Sequence, residues 1–250
     1  MRLDKVTVTG ADDSISPESL IELSMEFPFV EWGILLSRSQ QGKRRFPSHV
    51  WLEELASVVR AVGPGDTVHT AGHLCGAWLR ELLMGQDNCP YFDLGIFERL
   101  QLNFHAEDHK VDMDAFLRLL KIAVRSGRHV IFQYDGVNSY LLMRSLADGI
   151  KGLEALFDLS HGAGITPAEW PAPIPYVDYC GYAGGLGPDN LREGLDKISN
   201  VAGNRTIWID TETKMRGEGD SQFDLDKVRE FLSIAREFML QSSVACKGKV

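Results

Sequence analysis

The chain has 250 residues, of which 44% are hydrophobic and 24% are charged. This length and apolar content suffice for one large core, and they fit a single α/β barrel as well as two small domains. The formal net charge of −9 at pH 7 argues against a nucleic-acid partner, because such a partner needs a basic surface and the Lys and Arg residues are scattered.

The cysteines and the N-terminus indicate the compartment. No C-x-x-C spacing that would indicate a zinc site is present, and no disulfide framework is suggested by the four cysteines Cys75, Cys89, Cys180 and Cys246. No signal peptide is recognisable after Met1, and no apolar run approaches the ~18 residues of a membrane span. We therefore expect a cytoplasmic protein with reduced thiols and no membrane partner.

Eight short apolar segments alternate with helical patterns. The predicted strands are 5–9, 30–36, 67–71, 97–104, 129–133, 153–157, 176–182 and 206–210, and the predicted helices cover about 17–25, 47–61, 74–83, 112–124, 139–147, 191–198 and 224–239. Alternating strands and helices predict parallel pairing with right-handed crossovers. Eight such units predict a single (β/α)8 TIM barrel over residues 1–240, followed by a tail, 241–250. A doubly wound open sheet is the alternative.

The ends of the sixth and seventh predicted strands carry the clearest functional signal. The sixth strand ends at Asp158. The seventh leads into Gly184 and Gly185, and a helical pattern opens at Asn190, so backbone N–H groups and a positive helix end meet there. This arrangement is typical of anion binding. A carboxylate beside an anion site is what a barrel enzyme acting on a phosphorylated metabolite would need.

Polar residues at other strand ends extend this candidate site. Gln101, Asn103 and His105 alternate along the fourth strand, so all three should face the barrel interior. Asp210 ends the eighth strand and is either a catalytic base or a structural acceptor for backbone N–H groups. Arg45, in the basic loop after the second strand, is either a clamp for a ligand carboxylate or part of a solvated loop.

The histidines raise the question of a metal site. Histidines at neighbouring strand ends could meet in space, and the candidates are His69, His73, His105 and His161. No helical H-x-x-x-H pair and no acidic partner at a fixed spacing supports such a site, so we expect hydrogen-bonded pocket or surface histidines and no metal. We also expect no other cofactor.

Short motifs at the strand ends follow one another in an order shared with one barrel family. The segments are 7–10, 37–48, 101–103, 157–158, 162–164 with Trp170, 183–190 and 210–232. In this order they resemble the K-x-C-G, S-P-R-x-V-S, Q-L-H-G, L-D, G-G-T-G-x-x-F-D-W and A-G-G-L-x-P-x-N motifs, and the last strand and helix, of phosphoribosylanthranilate isomerase from the tryptophan pathway. The resemblance implies a TIM barrel with Asp158 as general acid, and it places Thr9 and Gly162 at the substrate site.

Two departures from the family pattern bear on the reaction. The family's general base is the cysteine of K-x-C-G, and Thr9 stands at that position. A thiol ionises near its reference pKa of about 8.5, whereas an unassisted hydroxyl does not ionise in this range. The family's phosphate-binding S-G after the last strand is replaced by residues including Glu212, which opposes an anion unless Lys214 or Arg216 neutralises it.

The resulting hypothesis is a divergent isomerase-like barrel that binds a small anionic metabolite. Asp158 would donate a proton, the loop of Gly184 and Gly185 with Asn190 would hold the anion, and the base would be Asp210 or His105. One alternative keeps the family's own reaction with a substituted base. Another is a non-catalytic barrel that binds a ligand or a partner protein as a regulator. The sequence leaves the substrate and the oligomeric state open, and a homodimer is one option.

Overall fold

Eight parallel strands close into a barrel. A computed structural model of the chain describes residues 1–62, 68–104, 110–136, 138–158 and 164–247. Each strand pairs in parallel with the next one along the chain, and the last pairs with the first. The expected (β/α)8 architecture is thereby confirmed, and the open-sheet alternative is wrong.

The strands and helices alternate along most of the chain. The strands are β1 Arg2–Thr9, β2 Val30–Leu36, β3 His69–Leu74, β4 Arg99–Leu102, β5 His129–Tyr134, β6 Leu153–Asp158, β7 Cys180–Ala183 and β8 Thr206–Thr211. The helices are α1 Pro17–Glu26, α2 His49–Ala61, α3 Gly76–Leu83, α4 Met113–Arg125, α5 Ser139–Ala147, α6 Leu191–Ala202 and α7 Leu225–Lys247. No helix among the described residues is both long enough and apolar enough to cross a membrane.

Some element boundaries differ from the sequence prediction for local reasons. β7 begins at Cys180 rather than near residue 176, because the N–H of Val177 donates to the oxygen of Ile174 in a preceding turn. β3 includes Leu74, which the sequence pattern assigned to the following helix, and Leu74 pairs there with both neighbouring strands. The helix begins only at Gly76, whose φ of 62° breaks the strand.

The connection from β6 to β7 and the last helix also differ from the predicted pattern. Residues 164–179 form an irregular segment without a helix, so the sixth unit has none in the described part of the chain. α7 continues through Lys247, past residue 240, where the predicted barrel ends and the predicted tail begins. The irregular segment leads directly to the amino end of β7.

The barrel has two apolar regions and a polar interior. A large core packs between the helices and the outer face of the strands. A small separate cluster lies inside the barrel and consists of Ile131, Leu156 and Trp208. The space left inside the barrel is filled largely by polar side chains.

A buried ionic cluster occupies the amino-terminal part of the interior. Arg99 donates to Glu31 at 2.7 Å and to Glu154 at 2.8 Å, and all three side chains are almost fully buried. Glu31 also accepts from Thr7 at 2.8 Å and from Lys5 at 3.3 Å. These groups come from β1, β2, β4 and β6. The four strands are therefore joined by charge-assisted side-chain bonds as well as by the backbone hydrogen bonds of the sheet.

The charges of Arg99 and Glu31 each shift the pKa of the other group towards its charged form. Burial alone would lower the pKa of Arg99, but the charges of Glu31 and Glu154 raise it. Burial alone would raise the pKa of Glu31, but the charges of Arg99 and Lys5 lower it. The Arg99 guanidinium also lies 4.2 Å from the centroid of the Trp208 ring, which adds a cation–π contact.

We expect an Arg99→Leu variant to lower the free energy of unfolding by about 3–5 kcal/mol, because it removes the guanidinium that bridges two buried carboxylates. Chemical denaturation checks this. The matched control is Arg192→Leu, which breaks the exposed pair of Arg192 with Glu237 and should leave the free energy of unfolding nearly unchanged. Equal losses in the two variants would contradict a special role for the buried cluster.

Candidate functional site

A cavity of about 280 Å³ opens at the carboxyl ends of the strands. Its volume is near the lower limit of ligand sites, which span about 300–1000 Å³, and therefore suits a small metabolite. The polar side chains that line it are His73, Gln101, Asn103, Gln133, Asp158, Asp210, Thr211, Glu212, Thr213 and Lys214. They come from β3, β4, β5, β6 and β8 and from the segment after β8, so the closed barrel brings distant parts of the chain to one opening.

Asp158 and Asp210 are in register with each other across β7. Asp158 pairs in register with Ala183 on β7, and Ala183 pairs in turn with Asp210 on β8. Both aspartates line the cavity. Gln133 Nε2 donates to Asp158 Oδ2 at 3.3 Å and helps to orient that carboxyl group.

Asp210 has the more strongly perturbed environment. Burial raises the pKa of Asp210 well above its usual range, and the negative charges of Glu212, Asp158 and Glu31 raise it further. A hydrogen bond from Thr9 Oγ1 to Asp210 Oδ1, at 2.8 Å, opposes this rise. A carboxyl group with a raised pKa is a weaker acid and, once ionised, a stronger proton acceptor.

Thr9 stands beside Asp210 rather than in the cavity wall. Its side chain is 1% exposed, and its hydroxyl group is used in the bond to Asp210. Thr9 is not among the described residues that line the cavity. The hydroxyl at the end of β1 therefore positions a carboxyl group at the end of β8.

The glycine loop after β7 lines the cavity on another side. Gly184 and Gly185 have φ values of 142° and 58°, and a Cβ added at Gly185 would lie 2.4 Å from the backbone oxygen of Gly164. Only glycine fits such a close approach. Asn190 fastens this loop, because its Oδ1 accepts from Gly187 N at 2.8 Å and its Nδ2 donates to Gly185 O at 3.0 Å. Asn190 itself does not line the cavity among the described residues.

Arg45 is engaged by carboxylates of the chain. Its guanidinium contacts Glu212 at 2.7 Å and Asp220 at 2.9 Å, and its backbone N–H donates to Asp12 Oδ2 at 2.7 Å. Arg45 has a φ of 70°, which is unusual for a residue with a side chain. It lies outside the set of described residues that line the cavity.

Glu212 is therefore neutralised by Arg45. Arg216, which the sequence offered for this purpose, pairs instead with Asp12 at 2.9 Å and with Asp220 at 2.5 Å. Burial still raises the pKa of Glu212, because the charge and hydrogen bond of Arg45 offset it only in part. Glu212 therefore adds to the cavity a carboxyl group that is paired with a cation of the chain.

Lys214 is a cavity residue whose place the sequence analysis did not predict. It follows β8 in a short 3₁₀ helix, and its side chain packs beside Gly187, where an added Cβ would lie 2.8 Å from Lys214 Cβ. Among the described residues that line the cavity, Lys214 is the only lysine or arginine. Its position four residues after the strand-end Asp210 is the signal that could have identified it.

His73, which the sequence analysis named among the candidate metal ligands and expected to be a pocket or surface histidine, lines the cavity. Its side chain is 1% exposed at the end of β3, and burial lowers the pKa of His73 to about 4, so the imidazole is neutral at neutral pH. If the predicted third strand had been extended to Leu74, His73 would have been placed near the end of that strand. His69 lies at the opposite end of β3 and contacts Glu98 at 2.8 Å. No group of three or more potential ligands is arranged for a metal ion within the described ranges.

The remaining predicted site residues divide into two groups. Gln101 and Asn103 both line the cavity, and Gln101 Nε2 donates to Asn103 Oδ1 at 2.9 Å. His105 and Gly162 lie outside the described residues.

Comparisons with known proteins reveal similar barrels at low sequence identity. Monomers generated from the dimeric phosphoribosylanthranilate isomerase of Thermotoga maritima align with 94% of this chain and 99% of their own, at 17% identity and a TM-score of 0.55. The octameric ribulose-1,5-bisphosphate carboxylase/oxygenase of Pyrococcus horikoshii OT3 aligns with 98% of this chain and 59% of its own, at 10% identity and a TM-score of 0.51. No protein-family model and no curated protein matches the sequence. These comparisons establish a shared barrel fold.

Proposed function

We propose that this barrel binds a small anionic metabolite of the sugar-phosphate type at its carboxyl-terminal mouth and catalyses a proton-transfer isomerisation. Asp158 is the proton donor and Asp210 is the proton acceptor. The observation that carries this proposal is that both carboxyl groups line one cavity and are in register across β7. The similarity to an isomerase barrel is consistent with it.

The different surroundings of the two aspartates support the division of roles. An isomerisation of this kind removes a proton from one atom of the substrate and returns a proton to another, so it needs an acceptor and a donor on the same ligand. Burial and neighbouring negative charges raise the pKa of Asp210, so its carboxylate is a strong proton acceptor once it is ionised. Thr9 holds Asp210 in place, and Gln133 orients Asp158.

The anionic group is assigned to the side of the cavity formed by Gly184, Gly185 and Lys214. Lys214 provides a positive charge, and the glycine loop lies next to the amino terminus of α6. Because Arg45 neutralises Glu212, the carboxylate after β8 does not by itself exclude an anion.

A non-catalytic ligand-binding barrel is the second candidate. One observation favours it. Thr9 stands at the position where the isomerase family has its basic thiol, but Thr9 carries no ionisable group and its hydroxyl is already hydrogen-bonded to Asp210. Under this alternative, the raised pKa of Asp210 serves ligand binding only. The family's own substrate, phosphoribosylanthranilate, should then show no turnover.

We expect purified protein to be thermally stabilised by D-ribose 5-phosphate or a related aldose phosphate and to convert the stabilising compound to its ketose isomer. Proton NMR of the sugar measures this conversion. An Asp158→Asn variant should lose about 10²–10⁴-fold in turnover, because it loses its proton donor. The matched control Asp178→Asn changes an exposed aspartate and should retain turnover.

The outcomes of this test separate the two candidates. Stabilisation without conversion would support the non-catalytic barrel. Turnover that survives in Asp158→Asn would remove Asp158 from the mechanism. No stabilisation by any phosphorylated sugar would reject the ligand class.

We also expect an Asp210→Asn variant to be more stable than the wild type at neutral pH. Because its folded-state pKa is raised, Asp210 favours folding while it is protonated, and this contribution is lost as the pH rises through that pKa. Each unit of the rise corresponds to about 1.4 kcal/mol. Asparagine can still accept the hydrogen bond from Thr9 and carries no charge.

Urea denaturation between about pH 4, near the ordinary pKa of an aspartate, and about pH 8 measures this effect. The stability gain of Asp210→Asn should be largest at the upper end and should disappear towards the lower end. Asp178→Asn should show no such trend. A variant less stable than the wild type at every pH would contradict the assignment of a destabilising buried charge to Asp210.

A further inference from the structure

A directional chain of hydrogen bonds fixes the side-chain amide of Gln101. Cys75 Sγ donates to the backbone oxygen of His73 at 3.7 Å, which leaves the sulfur to accept from Asn103 Nδ2 at 3.6 Å. Asn103 Oδ1 then accepts from Gln101 Nε2 at 2.9 Å. The donor or acceptor role of each group is fixed by the preceding group in this series of hydrogen bonds, so Gln101 Oε1 is the free acceptor at its end. This oxygen is buried and has no hydrogen-bond partner within the described residues.

His73 presents a second buried polar atom to the same region. Its Nε2 also lacks a hydrogen-bond partner in the part of the chain that is described. A Cβ added at Gly33 would lie 3.0 Å from His73 Nε2 and 2.1 Å from Thr9 Oγ1. The missing side chain of Gly33 therefore leaves room where polar atoms of β1 and β3 approach each other.

The cavity has a buried floor and an exposed rim. We define the floor as His73, Gln101 and Asp210, whose side chains are all buried. The rim carries the exposed Lys214. Buried polar atoms are almost always hydrogen-bonded, and an unpaired one costs free energy, so the two atoms on the floor are suited to a ligand.

The floor is chemically unsuited to the anionic end of a ligand. Gln101 Oε1 is only an acceptor, Asp210 is a carboxyl group, and the nearby charge of Arg99 is met by Glu31 and Glu154. A phosphate or carboxylate would bring further acceptors to this place and would have to lose its water. A hydroxyl group, in contrast, donates its hydrogen to Gln101 Oε1. Its oxygen accepts from His73 Nε2 when the neutral imidazole carries its proton on that atom.

We propose that His73 Nε2 and Gln101 Oε1 form a recognition subsite for a hydroxyl-bearing, uncharged end of the ligand, so that the ligand binds with this end on the floor and its anionic end at the rim beside Lys214. The subsite rests on the proposed function, because it lies in the same cavity. It adds His73 as a specificity-determining residue and gives the ligand a direction.

Side-chain nitrogen NMR of the wild-type protein tests the subsite. The probes are D-ribose, D-ribose 5-phosphate and inorganic phosphate, each titrated to millimolar concentration. We expect D-ribose and D-ribose 5-phosphate to shift the Gln101 amide and the His73 imidazole signals, and inorganic phosphate to leave both unchanged. Shifts caused by inorganic phosphate but not by D-ribose would overturn the proposed orientation.

The other outcomes distinguish the subsite from the proposed function. Shifts caused by D-ribose with no stabilisation by any phosphorylated compound would support the subsite and reject an anionic ligand. If neither D-ribose nor its phosphate shifts these two signals, the subsite is wrong. If D-ribose 5-phosphate shifts them and is never isomerised, the subsite stands and the protein is a binder.

A Gln101→Met variant provides the second measurement. It keeps the length of the side chain and removes the acceptor, so D-ribose 5-phosphate should bind about tenfold or more weakly. Affinity for inorganic phosphate should stay within about twofold. The control Gln86→Met changes an exposed glutamine away from the cavity and should leave both affinities unchanged. Equal weakening for both probes in Gln101→Met would contradict a hydroxyl-specific contact.

Discussion

The pairing of β1 with β8 is the constraint on which the rest of the structure depends. These strands lie at opposite ends of the sequence, and their register runs from Arg2 opposite Thr206 to Val8 opposite Thr211. This closure places Thr9 within hydrogen-bonding distance of Asp210, 201 residues away. An open sheet made from the same strands would leave β1 and β8 as separate edges, and the carboxyl groups of the cavity would not surround one opening.

The closed barrel treats its buried acids in two opposite ways. Near the amino-terminal end, Glu31 and Glu154 are paired with Arg99, and the charge of Arg99 lowers the pKa of Glu31 against the effect of burial. At the carboxyl-terminal end, Asp210 has a hydroxyl group as its bonded neighbour, and its pKa rises. Buried carboxylates that are paired with a cation contribute to the fold, whereas a buried carboxyl group without a cation is available for proton transfer. The difference between the two ends therefore separates structural from reactive acids.

Most of the fold was predictable from the sequence, because alternating apolar strands and amphipathic helices report on burial. The same reasoning located Asp158, Asp210, Gln101 and the paired glycines at strand ends, and all of them line one cavity. The partners of Arg45 were not predictable, because they depend on the folding of two loops that lie 167 residues apart. His73 was assigned to the wrong side of a strand boundary, since the pattern around Leu74 fits both a strand end and a helix start.

The lack of an ionisable group on Thr9 does not by itself remove the means of proton transfer from the cavity. Thr9 lies next to Asp210, so a carboxyl group from β8 stands one hydrogen bond away from the end of β1. The surroundings that raise the pKa of Asp210 make it a stronger acceptor than an exposed aspartate. In our proposal β8 supplies the base, and the threonine of β1 is its positioning partner. This arrangement is possible only where closure of the barrel sets the two strands side by side, which is why the same contact that completes the fold also defines the candidate chemistry.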